Sequence, residues 1–172
     1  GKVKFICPVP GYDRHFSICQ RCGIEMITVG MTGEGPDMDA VEELIKDPSV
    51  KGMWCVPKYS NPTGETYSEA TVRRIATMKP AAPDFRVFWD MAYAIHDLDD
   101  TPDDLPNIFE MIKGTENKNL VYAFFSTSKI TYPGAGIALM ISSTDNIKHA
   151  KADIAFQTIS PDKINQLRHV RY

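Results

Sequence analysis

Val50-Lys51-Gly52-Met53-Trp54-Cys55-Val56, then Pro57-Lys58-Tyr59-Ser60-Asn61-Pro62-Thr63-Gly64-Glu65-Thr66, then Ser68-Glu69-Ala70-Thr71-Val72-Arg73-Arg74-Ile75, is the stretch that decides the fold. The first seven residues are a short apolar run suited to a buried strand. The next ten are mostly turn formers. Ser68 suits an N-cap and Glu69 a first turn, so a helix is expected over 68–79. Pro80 and Pro83 end it, and Phe85-Arg86-Val87-Phe88-Trp89 reads as the next strand.

The same alternation continues in both directions. Upstream, a strand is expected over 3–7, broken by Pro8-Val9-Pro10-Gly11. A helix follows over 12–22, with Gly23 as its stop, and then a strand over 24–29. After the glycine-rich loop 30–35, Asp37 suits the cap of a helix running to 46, with Met38, Val41, Leu44 and Ile45 on one face. Downstream, residues 90–106 are acidic and aperiodic, and a short helix over 107–113 ends at Gly114. Strands are expected over 120–125 and 137–142, and helices over 145–157 and 161–172. Repeated strand–helix alternation is the pattern of a three-layer α/β/α domain with a mainly parallel sheet. The run Ile137-Ala138-Leu139-Met140-Ile141 does not alternate, which suits burial on both faces. No helix separates the last two strands, and a short link cannot make a parallel crossover. The sixth strand is therefore expected to be antiparallel, at an edge of a mixed six-stranded sheet ordered 2-1-3-4-5-6.

Length and composition set the class. The chain has 172 residues, 43% hydrophobic and 24% charged, as expected of one ordinary globular domain. A net charge of −3 offers no footprint for nucleic acid, and no apolar run approaches the length of a membrane span. No secretory leader is recognisable, so a cytoplasmic location is expected. Gly1 at the start and a helix running to Tyr172 suggest a piece of a longer chain. Of the four cysteines, Cys19 and Cys22 form a C-x-x-C near a helix end, read as two buried or half-buried thiols in a reducing compartment. Asp97, Asp99, Asp100, Asp103 and Asp104 read as a solvated loop rather than a metal site. Trp54 and Trp89 read as core, and His15, His149 and His169 show no pairing pattern.

In an open α/β sheet, ligands bind beyond the carboxyl ends of the strands. There the sequence places Pro10-Gly11-Tyr12, Tyr59-Ser60-Asn61-Pro62-Thr63-Gly64, Asp90-Met91-Ala92-Tyr93 and Ser126-Thr127-Ser128-Lys129. An amine, an acid, an amide, phenols and hydroxyls converging on one edge suit pyridoxal 5'-phosphate (PLP). That cofactor needs a lysine for an imine, an acid at the ring nitrogen, an aromatic face and phosphate donors.

Asn61-Pro62-Thr63-Gly64, Asp90-x-Ala92-Tyr93 and Ser126-x-Ser128-Lys129, in this order and each after an expected strand, resemble the landmarks of fold-type I, PLP-dependent aminotransferases of class I/II. The run Ser126-Thr127-Ser128-Lys129-Ile130-Thr131-Tyr132-Pro133-Gly134-Ala135-Gly136 is similar to the aspartate-aminotransferase-like branch related to the MocR group. The resemblance covers nearly the whole chain. It implies that Lys129 forms the Schiff base with PLP and moves the proton, and that Asp90 pairs with the pyridinium. It further implies that Asn61 and Tyr93 bond the phenolate oxygen, Tyr12 stacks on the ring, and Ser126 and Ser128 bind phosphate. The implied reaction moves an amino group between an amino acid, aspartate or glutamate favoured, and a 2-oxo acid, in a homodimer at full length.

Residues 1–172 would then be the PLP-binding large domain without the family's N-terminal phosphate loop and C-terminal small domain. Arginine, common in relatives shortly after the lysine, is missing from Pro133-Gly134-Ala135-Gly136-Ile137. An alternative is the PLP-binding effector domain of a MocR-type transcription regulator, without turnover. A third is a folded shell that holds no cofactor.

Overall fold

The computed structural model describes all of residues 1–172. Six strands form one sheet in the order β2-β1-β3-β4-β5-β6. They are β1 (Lys4–Val9), β2 (Glu25–Gly30), β3 (Val50–Cys55), β4 (Arg86–Asp90), β5 (Val121–Ser126) and β6 (Ala138–Ile141). The first five are mutually parallel, and β6 runs antiparallel to β5 with Ser126 opposite Ala138. Both the order and the reversed sixth strand match the expectation. The helices are α1 (Asp13–Arg21), α2 (Met38–Leu44), α3 (Glu69–Thr77), α4 (Ile108–Ile112), α5 (Thr144–Gln157) and α6 (Lys163–Arg171).

Local chemistry sets the boundaries. Asp37 accepts from the Asp39 and Ala40 amides to start α2, and Ser68 accepts from Thr71 to start α3. At the end of α1, Ile24 N–H bonds Cys19 O and Gly23 N–H bonds Gln20 O, the paired closure of a Schellman motif. Gly23 sits there at φ +67°, where a side chain would be strained. One expected boundary is wrong. Pro8 and Val9 continue β1 instead of breaking it. The β1–β3 ladder stops at Ile6, so Pro8 pairs only with β2 and its missing N–H is not needed on the β3 side.

The main core lies on one face of the sheet. Ile6, Met53, Val87 and Val121 meet Val41, Val72, Ile75 and Ile108 from α2, α3 and α4. The other face carries an aromatic row in which Phe5 and Trp54 each meet Phe88, with Tyr122 and Phe124 beyond it. Cys19 and Phe16 of α1 cover the Phe5 end. Gly52 makes room for this row, since a Cβ there would fall 2.3 Å from the Phe5 ring.

Three other expectations are corrected. Within residues 1–172, β6 is the edge strand and is not buried on both faces: Leu139 is 52% and Ile141 55% exposed. Cys22 is exposed while Cys19 is fully buried, so the C-x-x-C does not present two buried thiols. Trp89 is core, whereas Trp54 is only half-buried. No helix is long and apolar enough to cross a membrane.

Candidate active site

The carboxyl ends of β1, β3, β4 and β5 deliver the expected groups to one cleft of about 330 Å³. It is lined by Tyr12, Asn61, Asp90, Tyr93 and Lys129, with Val56 and Ala92. Parallel strands make this convergence: each enters the same edge and hands the chain to a loop there.

Asp90 is the last residue of β4. Its Oδ2 lies 3.0 Å from Nε2 of His15 on α1. An ionised carboxylate only accepts, so the ring presents Nε2–H to it. His15 is 5% exposed. It lies flat on Trp54, with ring centres 4.2 Å apart and planes 7° from parallel. Tyr12, the N-cap of α1, meets the same imidazole edge-on at 5.3 Å. The Trp54 indole N–H in turn points at Cys19 Sγ, 3.2 Å away. Asp90 is thus aimed by a packed stack.

Asn61 is held by a tight loop. Tyr59 adopts φ +50°, Ser60 N–H bonds Glu65 O at 2.9 Å, and Tyr67 N–H bonds Pro57 O at 2.8 Å. The Asn61 amide donates to Tyr93 Oη at 3.5 Å, and Lys129 Nζ donates to the same oxygen at 2.6 Å. The ammonium also sits 3.9 Å from the Tyr93 ring centre. One phenol therefore joins the amide and the amine.

Lys129 stands on a turn built around Thr127. The Thr127 carbonyl accepts from Ile130 and Thr131 N–H, its amide donates to Ile137 O, and its hydroxyl accepts from Ile137 N–H. His169 of α6 braces this turn: Nδ1 donates to Asn165 O, so Nε2 is an acceptor, and it lies 2.9 Å from the Thr127 hydroxyl and 2.7 Å from that of Thr131, whose O–H also points to Thr127 O at 3.1 Å. Ser126 and Ser128 do not line the cleft. Their hydroxyls pair at 2.8 Å, and Ser126 Oγ also accepts from Ser128 N–H. Gly136 passes close beside them, where a Cβ would sit 2.3 Å from Ser128 Oγ.

Three of the four histidines have side-chain or carboxylate partners, while neither ring nitrogen of His96 has one. His15 bonds Asp90, His169 bonds Thr127 and Thr131, and His149 lies 3.8 Å from Asp153 on the surface of α5. The acidic loop also needs correcting at one position, since Asp97 pairs with Lys58, an ammonium only 8% exposed, at 2.7 Å. The Lys58 hydrogen bond holds the Asp97 carboxyl below the usual range against partial burial, helped by the Tyr59 hydroxyl. Burial raises the Tyr59 phenol, and it pushes the Cys7 thiol behind the site up to about 12. His15 had one sequence signal: it follows Tyr12 by three residues, one turn along the same helix. Lys58, Asp97 and His169 had none, since these partners are 36 to 42 positions away.

A chain with this sheet and this cleft can be set beside known proteins. The family model described as aspartate amino-transferase matches residues 1–172. The chain belongs to the aspartate amino-transferase family. Within that family it is 54% identical over 170 residues to an aspartate aminotransferase of Corynebacterium glutamicum, covering 99% of this chain and 39% of that protein's length. Its fold superposes on the crystal structure of a putative aminotransferase from Corynebacterium diphtheriae with a TM-score of 0.95 at 51% identity, over 99% of this chain and 42% of that one. A more distant likeness is to alpha-aminoadipate aminotransferase from Thermus thermophilus, complexed with N-(5'-phosphopyridoxyl)-L-leucine. There the TM-score is 0.70 and the identity 25%, over 86% of this chain and 37% of that one. The chain therefore spans about two fifths of the length of the aminotransferases it matches.

Proposed function

We propose that the cleft binds PLP and that the protein moves an amino group between an amino acid and a 2-oxo acid. The observation that carries this reading is the placing of Lys129 Nζ on Tyr93 Oη, at 2.6 Å, in the cleft that also holds Asp90. The donor set fits the cofactor. An amine for its aldehyde, a carboxylate for its ring nitrogen and two donors for its phenolic oxygen share one wall. When bound, PLP supplies an electron-withdrawing ring conjugated to the reacting nitrogen.

The chain's own residues do the rest. Lys129 is the covalent anchor and, once released, the base that holds and returns the substrate's α-proton. Asp90, aimed by His15, keeps a proton on the ring nitrogen. Asn61 and Tyr93 donate to the phenolic oxygen, and Tyr12 at the cleft mouth stacks on the ring. Two hydroxyls that share one hydrogen bond keep one O–H free, so Ser126 and Ser128 together still offer a phosphate donor. No arginine stands at residues 133–137, so what the turn after β5 offers the phosphate is hydroxyl and backbone N–H groups.

Aspartate or glutamate is the favoured amino donor, supported by the relative named aspartate aminotransferase. Residues 1–172 form part of the cofactor-binding large domain, in a homodimer at full length. Four free cysteines suit a reducing cytoplasm.

Addition of PLP to the full-length protein, borohydride reduction and peptide mapping test the reading. The label is expected on Lys129 and is lost in Lys129→Ala. Absence of label from Lys129 in the unsubstituted protein would refute it.

A further inference from the structure

Lys58 is the least exposed lysine at the site's edge and touches nothing in the cleft. It leaves the chain three residues before Asn61, in the loop after β3. Its ammonium crosses to the loop after β4, donating to Asp97 Oδ1 at 2.7 Å and to Ala94 O at 3.4 Å. Tyr59 crosses the same gap: its hydroxyl donates to Asp97 Oδ1 at 3.0 Å and accepts from Asp103 N–H at 3.2 Å. A buried ammonium is costly unless it is paired, so this contact has a definite geometry rather than a solvated one.

Each end of the bridge is joined stiffly to a site residue. On one side, Tyr59 at φ +50° and the Ser60–Glu65 bond carry the chain directly into Asn61. On the other, Tyr93 O accepts from His96 N–H, and the His96 ring packs edge-on against Tyr93 at 5.5 Å, immediately before Asp97. The two side chains so placed, Asn61 and Tyr93, meet at 3.5 Å, at the long end of hydrogen-bond distance. A small movement of either loop would separate them.

We propose that Lys58, Asp97 and Tyr59 form a clamp that sets the spacing of Asn61 and Tyr93, making all three positioning residues for the donors to the cofactor's phenolic oxygen. The proposal rests on the PLP reading above. Donors aimed at that oxygen draw charge from it, so the chromophore attached to Lys129 loses its proton at a lower pH. Loosening the donors raises that pH.

The test uses the full-length protein loaded with PLP, and reads the pH midpoint of its visible absorbance together with thermal stability. Lys58→Met and Asp97→Asn are each expected to raise the midpoint by about half a unit, roughly a threefold change in proton affinity. The double variant should shift no further than either single one, because the two act as a pair. Tyr59→Phe, which keeps the ring, should shift it in the same direction by less, and it carries the test if Lys58→Met fails to fold. Singles that lower the melting temperature but leave the midpoint unchanged would reduce the clamp to a structural ion pair and overturn the proposal. Shifts that add in the double variant would likewise overturn the pairing. Failure of the unsubstituted protein to take up a borohydride-fixed label on Lys129 would instead remove the PLP reading, and the clamp with it.

Discussion

At the scale of single residues, Asp90 has the most specific task. It is a half-buried carboxylate with one oxygen committed to His15 and its other side open to the cleft. A hydrogen bond to a charged group is worth about 1.5–3 kcal/mol. Asp90→Asn keeps the shape and removes the charge, so PLP affinity of the full-length protein should fall by about tenfold to a hundredfold, read by spectroscopic titration. An unchanged affinity would take Asp90 off the ring nitrogen. Lys129, Asp90, Tyr93 and Asn61 were legible in the sequence because each follows a strand end, and a parallel sheet sends all such ends to one edge. The supports behind them were not. His15 reaches Asp90 across 75 positions of chain, and Lys58 reaches Asp97 across 39, so no spacing rule joins them. Ser126 and Ser128 have the right residue types but turn toward each other, a side-chain choice that a motif does not encode.

Single elements were legible where a local cap or stop defined them. The Asp37 and Ser68 caps and the Gly23 stop all stand where their side chains, or the lack of one, satisfy helix ends. Ser68→Ala removes the acceptor for Thr71 N–H and should cost about 1 kcal/mol of stability, measured by urea unfolding of the full-length protein. A loss well below that would mean the α3 start is held by packing instead. Where the sequence reading failed, tertiary pairing overrode local preference. Pro8 stays in β1 because β2 alone supports it there.

Across the whole molecule, charge is used more for tying segments together than for attracting partners. Hydrogen bonds from Ser49 hold Asp47 well below the ordinary carboxylate range, and Arg74, Lys51 and Lys58 hold down Glu42, Asp84 and Asp97. A carboxyl lowered by folding binds fewer protons in the native than in the unfolded state. Its stabilisation is complete above its unfolded value, about 4, and disappears as pH falls through the lower native value. Glu65, raised mainly by burial, works in the opposite direction. The urea midpoint should therefore hold level down to about pH 4 and fall below it. Asp47→Asn should flatten that fall, and an identical fall in the variant would mean that Asp47 is not among its causes. The stack beside Asp90 has an optical consequence. Of the chain's two tryptophans, Trp89 is sealed in the core, while Trp54 lies flat on the imidazole that aims Asp90. With Trp89 replaced by Phe, the emission of Trp54 would be a natural gauge of that imidazole, following events at the Asp90 end of the cleft without any dye being attached.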